Sequence, residues 1–140
     1  MGRIVALDYG TKRVGIAVTD PSAIIATPLE TIHSKDILEF LKIYDDKENI
    51  DSFVVGLPKK LNNKDTHATK PVRMFVRQLG KKFPGKKIHL CDERFTSKIA
   101  QQAMLEGGMK KKDRQNKANV DKISATIILQ SYLESRAHGA

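Results

Sequence analysis

Four acidic side chains stand where this sequence could do chemistry. Asp8 ends the apolar run 4–7, Asp92 and Glu93 end a second apolar run, and Asp121 precedes a third. Carboxylates brought to one point repel one another unless a divalent cation neutralises them. Oxygen-only ligation suits Mg²⁺ or Mn²⁺. The pattern therefore predicts a metal site held by Asp8, Asp121 and one of the two adjacent acids.

Each of these acids also has an ordinary structural alternative. Asp121 could cap a helix, or stabilise its first turn through the helix dipole. The acids at the second apolar run could pair with Arg94, which follows them. A carboxylate at the end of a buried strand needs a partner, and Lys12 or Arg13 could supply one to Asp8. The acids alone leave these alternatives open.

Apolar patterns predict the elements that would position the acids. Short apolar runs bounded by turn residues predict five strands, at residues 3–8, 14–18, 24–32, 53–56 and 88–91. Apolar residues recurring every three or four positions predict four helices, at residues 37–44, 72–79, 99–104 and 121–136. Ser34 is the expected cap of the first helix. Large and small residues alternate over residues 14–18, which indicates a strand with one closely approached face.

The order of these elements predicts an α/β domain spanning residues 1–140. Short connections make the first three strands an antiparallel meander, and helical crossovers make the later strands parallel. The result is a mixed five-stranded sheet flanked by helices. Ligands bind such sheets at the carboxyl ends of the parallel strands, where Asp8 and the Asp92–Glu93 pair lie. Asp121 falls on the apolar stripe of the last helix, so it should face the sheet.

The charge distribution predicts a polyanionic partner. The formal net charge is +9, and residues 71–140 carry all of the excess, with 15 Lys and Arg against 6 Asp and Glu. The cations cluster over residues 70–87 and 110–117, a footprint typical of nucleic-acid binding. A solvated basic surface is the alternative. Beside a carboxylate metal site, such a surface favours phosphodiester hydrolysis.

Composition also excludes several classes of protein. No apolar run approaches the roughly 20 residues of a membrane helix. The single cysteine, Cys91, excludes an internal disulfide and supplies no thiol cluster for zinc. The N-terminal residues do not have the pattern of a secretion signal, so we expect a cytoplasmic location.

Four motifs carry a resemblance to a known family. They read LDYGTKRVGIAVTD at residues 7–20, VVGLPKKLN at 54–62, DERFTS at 92–97 and VDKISATIILQSYL at 120–133. In this order they closely resemble the YqgF/RuvX family, over nearly the whole chain. That family is similar to Holliday-junction resolvases of the RuvC type and has a ribonuclease H-like fold. It is described as a nuclease processing the 5′ end of pre-16S rRNA and as a junction resolvase.

The resemblance implies roles for particular residues. Asp8 and Asp121 would be catalytic acids that bind Mg²⁺ or Mn²⁺. The third acid would come from the Asp92–Glu93 pair, and we favour Glu93. Related nucleases have an acid at the end of strand four, where this chain has Gly56. The sequence departs from the family over residues 62–67, which leaves the conformation and role of the loop at residues 61–69 open.

The same reasoning predicts nucleic-acid contacts from basic side chains near the acids and in the basic clusters. These are Lys12, Arg13, Arg73, Arg77, Arg94, Lys110, Lys111, Lys112 and Arg114. A salt bridge to a nearby acid is the alternative for Lys12, Arg13 and Arg94. Three functions remain open at this point: trimming of structured RNA, cleavage of branched DNA, and binding without catalysis. A resolvase needs two active sites and hence a homodimer, whereas an RNA-trimming enzyme can act as a monomer.

Overall fold

The computed structural model describes residues 2–57, 69–92 and 117–137. These residues form five strands and three helices. In chain order they are β1 (Arg3–Tyr9), β2 (Arg13–Thr19), β3 (Ala26–His33), α1 (Ile37–Glu48), β4 (Ile50–Leu57), α2 (Thr69–Lys82), β5 (Lys87–Asp92) and α3 (Lys117–Ala137).

The strands form one mixed sheet in the order β3-β2-β1-β4-β5. Strands β1, β2 and β3 pair antiparallel, while β1 with β4 and β4 with β5 pair parallel. This confirms the predicted fold class. Because β1, β4 and β5 run the same way, Asp8 and Asp92 lie at the same edge of the sheet. Strand β4 separates them, so their backbones are about 10 Å apart.

The two sides of the sheet differ in side-chain size. On the side covered by α1 and α2, hereafter the α1/α2 face, large residues such as Leu7, Ile16 and Phe53 pack against Phe75 and Leu79. On the side covered by α3, hereafter the α3 face, the sheet contributes Ile4, Ala6, Ala17 and Val54, which pack against Ala125, Ile128 and Leu129. Period-two alternation assigns neighbouring residues of one strand to opposite sides.

Two sequence-based expectations about element ends are corrected. Ser34 does not cap α1: its hydroxyl donates to the carbonyl of Thr11 at 2.6 Å, and Asp36 occupies the cap position without a side-chain bond. Strand β3 begins at Ala26 because the backbone amides of Ile24 and Ile25 donate to the Asp20 carboxylate instead of to a neighbouring strand.

Two other predicted segments cannot be compared in this way. The helix predicted at residues 99–104 and nearly all of the segment 61–69 lie outside the described residues. None of the described helices is long and apolar enough to cross a membrane.

Candidate active site at the carboxyl edge of the sheet

Asp8 reaches the candidate site from the end of β1. It is the next-to-last residue of the strand and pairs with Gly15 of β2. Ile4 and Ala6, four and two positions earlier, pack on the α3 face. Because side chains alternate along a strand, the Asp8 side chain lies on the same face, at the point where the apolar core ends.

Gly15 lets helix α3 approach this point. A Cβ placed on Gly15 would lie 3.0 Å from the Cβ of Asp121, and well inside contact distance of the Asp121 carbonyl group. Only glycine fits beneath the helix backbone here. Directly opposed residues of antiparallel strands hold their Cβ positions about 5 Å apart on one face. Asp121, seated on Gly15, therefore lies next to Asp8.

Helix α3 turns Asp121 toward the sheet through its apolar stripe. Ala125, Ile128 and Leu129, which follow Asp121 by one or two turns, are buried against the strands. The helix begins at Lys117, and its first turn contains no acid. Asp121 is thus neither an N-cap nor a first-turn acid, which corrects that alternative reading. Its side chain is 24% exposed, consistent with a place at the margin of the core.

Arg13 is the ion-pair partner of Asp121. Its Nε donates to Asp121 Oδ2 at 3.0 Å, and both side chains are partly exposed. The salt bridge considered for Arg13 therefore forms, and it forms with the acid of the distant helix. Tyr9, beside Asp8, stacks on Phe75 with ring centroids 4.4 Å apart, so this ring takes part in packing on the opposite face.

The turn between β1 and β2 forms the wall of the site. Gly10 closes it by donating its backbone amide to the carbonyl of Arg13 at 2.8 Å, and the Ser34 amide donates to the Lys12 carbonyl at 3.0 Å. The turn and the two acids enclose a cavity of about 250 Å³. Its lining consists of Asp8, Tyr9, Gly10, Thr11, Lys12, Arg13 and Asp121.

The donor set of this cavity fits a hard divalent cation. Asp8 and Asp121 supply carboxylate oxygens, the ligands that Mg²⁺ and Mn²⁺ prefer. Within residues 2–57, 69–92 and 117–137, no group of three or more His, Cys, Asp or Glu side chains is placed to hold a metal. Glu93, the third ligand expected from the sequence, lies outside the described residues, and the backbone of Asp92 ends β5 opposite Leu57.

The predicted nucleic-acid contacts fall into separate groups. Lys12 and Arg13 line the cavity. Arg73 and Arg77 lie on the exposed side of α2, which covers the α1/α2 face, so the structure does not bring them to Asp8. The remaining predicted contacts, Arg94, Lys110, Lys111, Lys112 and Arg114, lie outside the described residues.

The amino-acid sequence also matches a known protein family. A family model described as "RuvX: Holliday junction resolvase" matches residues 2–135, which is nearly the whole chain. The chain belongs to the RuvX family. The site residues Asp8, Arg13, Gly15 and Asp121 all lie within the matched range.

Individual RuvX relatives are similar over their full length. A protein of Amoebophilus asiaticus is 53% identical over 135 residues, covering 96% of each chain. One of Phocaeicola vulgatus is 54% identical over 138 residues, covering 99% of each chain. Both carry the name "Putative pre-16S rRNA nuclease". The family assignment therefore rests on close relatives as well as on the model.

Solved structures support the same fold for this RuvX member. RuvC of Thermus thermophilus, in complex with a Holliday junction substrate, superposes with a TM-score of 0.60 at 13% identity. The match covers 98% of this chain and 96% of that one. A second structure of the same RuvC gives a TM-score of 0.54 at 14% identity. These likenesses show a RuvC-like ribonuclease H fold.

Sequence reasoning missed two residues that build the site. The alternation of large and small residues in β2 indicated a close approach at Gly15, but it did not indicate that the approaching group is the backbone of Asp121. Ser34 was assigned to a helix cap, whereas its side chain braces the turn that lines the cavity. A serine one position after a strand end, facing a glycine turn, was the available signal for this role.

Proposed function

We propose that this protein is a metal-dependent nuclease that hydrolyses phosphodiester bonds in structured nucleic acid, with the 5′ end of pre-16S rRNA as its substrate. One observation carries the proposal. Two carboxylates from opposite ends of the chain, Asp8 and Asp121, line one cavity together with the cations Lys12 and Arg13. The printed names of the RuvX relatives supply the substrate.

Asp8 and Asp121 would hold Mg²⁺ or Mn²⁺ at the carboxyl edge of the sheet. The match of the sequence to the RuvX family supports Glu93 as the third ligand. Cys91, near the end of β5, packs on the α3 face. Strand β4 has Gly56 opposite Cys91, so it places no side chain between Cys91 and β1.

The chain's own cations would position the substrate. Arg13 engages Asp121 through Nε, so its terminal nitrogens can reach a phosphate beside the metal ligands. Lys12 adds a second positive charge from the same rigid turn. A bound divalent cation supplies Lewis acidity, lowers the pKa of water, and neutralises charge that develops on the phosphate.

Cleavage of branched DNA is the second candidate. The description of the family model as a Holliday junction resolvase favours it. The two candidates separate when one preparation is offered a four-way DNA junction and an RNA that spans the 5′ end of 16S rRNA. Cleavage of the RNA alone supports the first proposal, and symmetric cleavage of the junction supports the second.

Replacement of Asp8 by Asn tests the active site. The amide is nearly isosteric but uncharged, and it binds a hard cation poorly. We expect Asp8→Asn to reduce cleavage by more than the roughly 10- to 100-fold that changes around a metal's ligands cost. We also expect a smaller rise in melting temperature with Mn²⁺ than in the unaltered protein.

Asp46→Asn is the matched control, because it makes the same change at an exposed residue of α1. This variant should cleave and bind Mn²⁺ like the unaltered protein. An Mn²⁺-induced shift of equal size in Asp8→Asn and in the control would contradict the metal role of Asp8.

A further inference from the structure

A second polar cavity lies at the opposite, amino end of the parallel strands. It has a volume of about 380 Å³ and opens on the α3 face. Ser52 and Lys87 line it from the beginnings of β4 and β5, and Tyr132 and Arg136 line it from the last turns of α3. None of these residues lines the cavity at Asp8 and Asp121, so the two sites are separate.

The lining combines cations with an aromatic surface. Lys87 and Arg136 supply two positive charges, and Asp51 is the one carboxylate among the lining residues that the structure describes. The guanidinium carbon of Arg136 lies 5.7 Å from the centre of the Tyr132 ring, and the His89 ring is 4.9 Å from it. The two rings are tilted by 36° to one another. Cations beside aromatic rings are the combination with which proteins bind the phosphate and the base of a nucleotide.

A basic stripe on α2 runs along the other face of the sheet toward the same, amino end of the parallel strands. Lys70, Arg73, Arg77 and Lys81 follow one another at spacings of three, four and four residues and are exposed, so they line one side of the helix. Lys86, which follows the helix, is not part of this stripe. Its Nζ donates to the Ile50 carbonyl and lies 3.4 Å from an Asp45 oxygen.

Lys87 then brings positive charge to the cavity. Of the two adjacent cations that follow α2, Lys86 therefore bonds within the fold, whereas Lys87 lines the cavity.

The distance between the two sites suits one nucleic-acid ligand. Strand β5 runs about 17 Å from Lys87 to Asp92, and Asp8 lies about 10 Å across the sheet from Asp92, so Asp8 is about 20 Å from the cavity. That distance corresponds to about six base pairs of duplex at 3.4 Å each. A nucleic acid that is cleaved at Asp8 is therefore long enough to contact both sites.

We propose that this cavity binds one nucleotide of the substrate nucleic acid, several positions from the cleaved bond. Its phosphate contacts Lys87 and Arg136, and its base packs against the Tyr132 and His89 rings. The inference rests on the proposed nuclease function for its choice of ligand. A free nucleotide shares the same chemistry, and the experiment separates the two sources.

The test measures equilibrium binding of a 12-nucleotide single-stranded RNA in EDTA, so that no cleavage is needed. The double variant K87Q/R136Q should make the negative slope of log affinity against log salt less steep by about 1.4, since each lost phosphate contact contributes about 0.7 for single strands. The matched control K42Q/K47Q removes two exposed cations of α1 and should leave the slope unchanged. The single variant Lys87→Gln, at an exposed residue, should make the slope less steep by about half as much.

Tyr132→Leu tests the base contact. It keeps an apolar side chain at a partly buried position and should weaken RNA binding by about fivefold or more without changing the salt slope, because stacking does not depend on counterions. Titration with AMP, followed by the NMR signals of His89, tests the free nucleotide.

The outcomes separate this inference from the proposed function. If K87Q/R136Q and the control have equal slopes, or if Tyr132→Leu binds RNA normally, the inference is overturned. Binding of AMP with no effect of the double variant on RNA binding would also overturn it, in favour of a free nucleotide. Failure of the proposed function is a different result: Asp8→Asn would cleave normally while the cavity variants still weakened RNA binding.

Discussion

The two faces of the sheet differ in side-chain size and in role, although the same strands form both. On the α1/α2 face, large side chains such as Phe53 and Phe75 fill the space between the sheet and its helices. On the α3 face, Ala6, Gly15 and Ala17 leave so little side-chain volume that the backbone of α3 rests close to the strands. Both faces are well packed, but only the second brings a helix residue within reach of a strand-end carboxylate.

The difference shows how a strand and a helix hold the two described carboxylates of the site. Asp8 and Asp121 are both carried by regular elements, and the close helix–sheet packing sets their separation. Sites built on rigid elements hold their geometry better than sites on loops. The comparison predicts that changes on the α1/α2 face affect stability alone, while changes on the α3 face also affect the site.

The largest effect on stability should come from the α1/α2 face. Phe53 is fully buried, and its ring lies 5.1 Å from that of Phe83. Phe53→Ala should lower the free energy of unfolding by about 3–5 kcal/mol through lost burial and a residual cavity. Urea denaturation measures the loss, and the smaller change Phe53→Leu serves if the alanine variant does not fold. Mn²⁺ affinity of the folded fraction should stay unchanged, and a weakened affinity would contradict the separation of the two faces.

A single methyl group on the α3 face should have the next largest effect. Gly15→Ala places a Cβ inside the backbone of Asp121, so α3 must shift, at a cost of about 1–3 kcal/mol. Because the shift moves Asp121 from Asp8, Mn²⁺ binding and cleavage should fall with stability.

Gly80→Ala, in α2, is the matched control for this change. Its Cβ would meet only the Ile88 Cδ1 atom at 3.8 Å, and alanine is the better helix former by about 1 kcal/mol. This control should be more stable than the unaltered protein and should cleave normally. Equal thermal stability of the two glycine variants would contradict the close approach of α3 at Gly15.

The Arg13–Asp121 pair should contribute less than either packing change. Both side chains are partly exposed, so solvent screens the pair, and Arg13→Gln should cost at most about 1 kcal/mol without metal. The loss should shrink in 1 M salt, where the Debye length is about 3 Å. Urea melts at low and high salt measure it. A loss that is independent of salt would show that Arg13 stabilises the fold by packing and not by charge.

The smallest effect should come from the turn that leads into β3. Asp20 accepts backbone amides of Ile25, Ile24 and Ser22, at 2.7, 2.8 and 3.2 Å, and these bonds, that of Ile25 most, lower the pKa of its carboxyl group from 3.8. A lowered pKa in the folded state means that ionised Asp20 stabilises the fold above pH 3.8. This contribution disappears as the pH falls through the lowered value. Asp20→Asn should therefore lower the melting temperature slightly at pH 7.

The difference between the two proteins should vanish in strong acid, where Asp20 is protonated in both the folded and the unfolded state. Melts across a pH series follow this change. A difference that persists unchanged at the acid end would contradict a role for the Asp20 charge in the turn.

Much of the fold could be predicted because its signals are local. Runs of apolar residues predicted the five described strands, and spacing predicted the three described helices, since side-chain periodicity follows directly from backbone geometry. The ends of elements were less predictable. Strand β3 starts late because Asp20 captures the amides of Ile24 and Ile25, and α3 starts one turn before Asp121. When a side chain competes with a neighbouring strand for a backbone amide, the sequence carries only a weak signal of the outcome.

The amino-acid sequence by itself determined that Asp8 ends a buried strand, that Asp121 lies on the apolar stripe of its helix, and that β2 has one face of small residues. Each follows from the nearest neighbours along the chain. Only the tertiary structure decided that Asp121 rests on Gly15, that Arg13 pairs with Asp121, and that Ser34 braces the turn at Thr11. These contacts join residues far apart in sequence, and they depend on strand register and helix position, which the packing of the whole sheet determines.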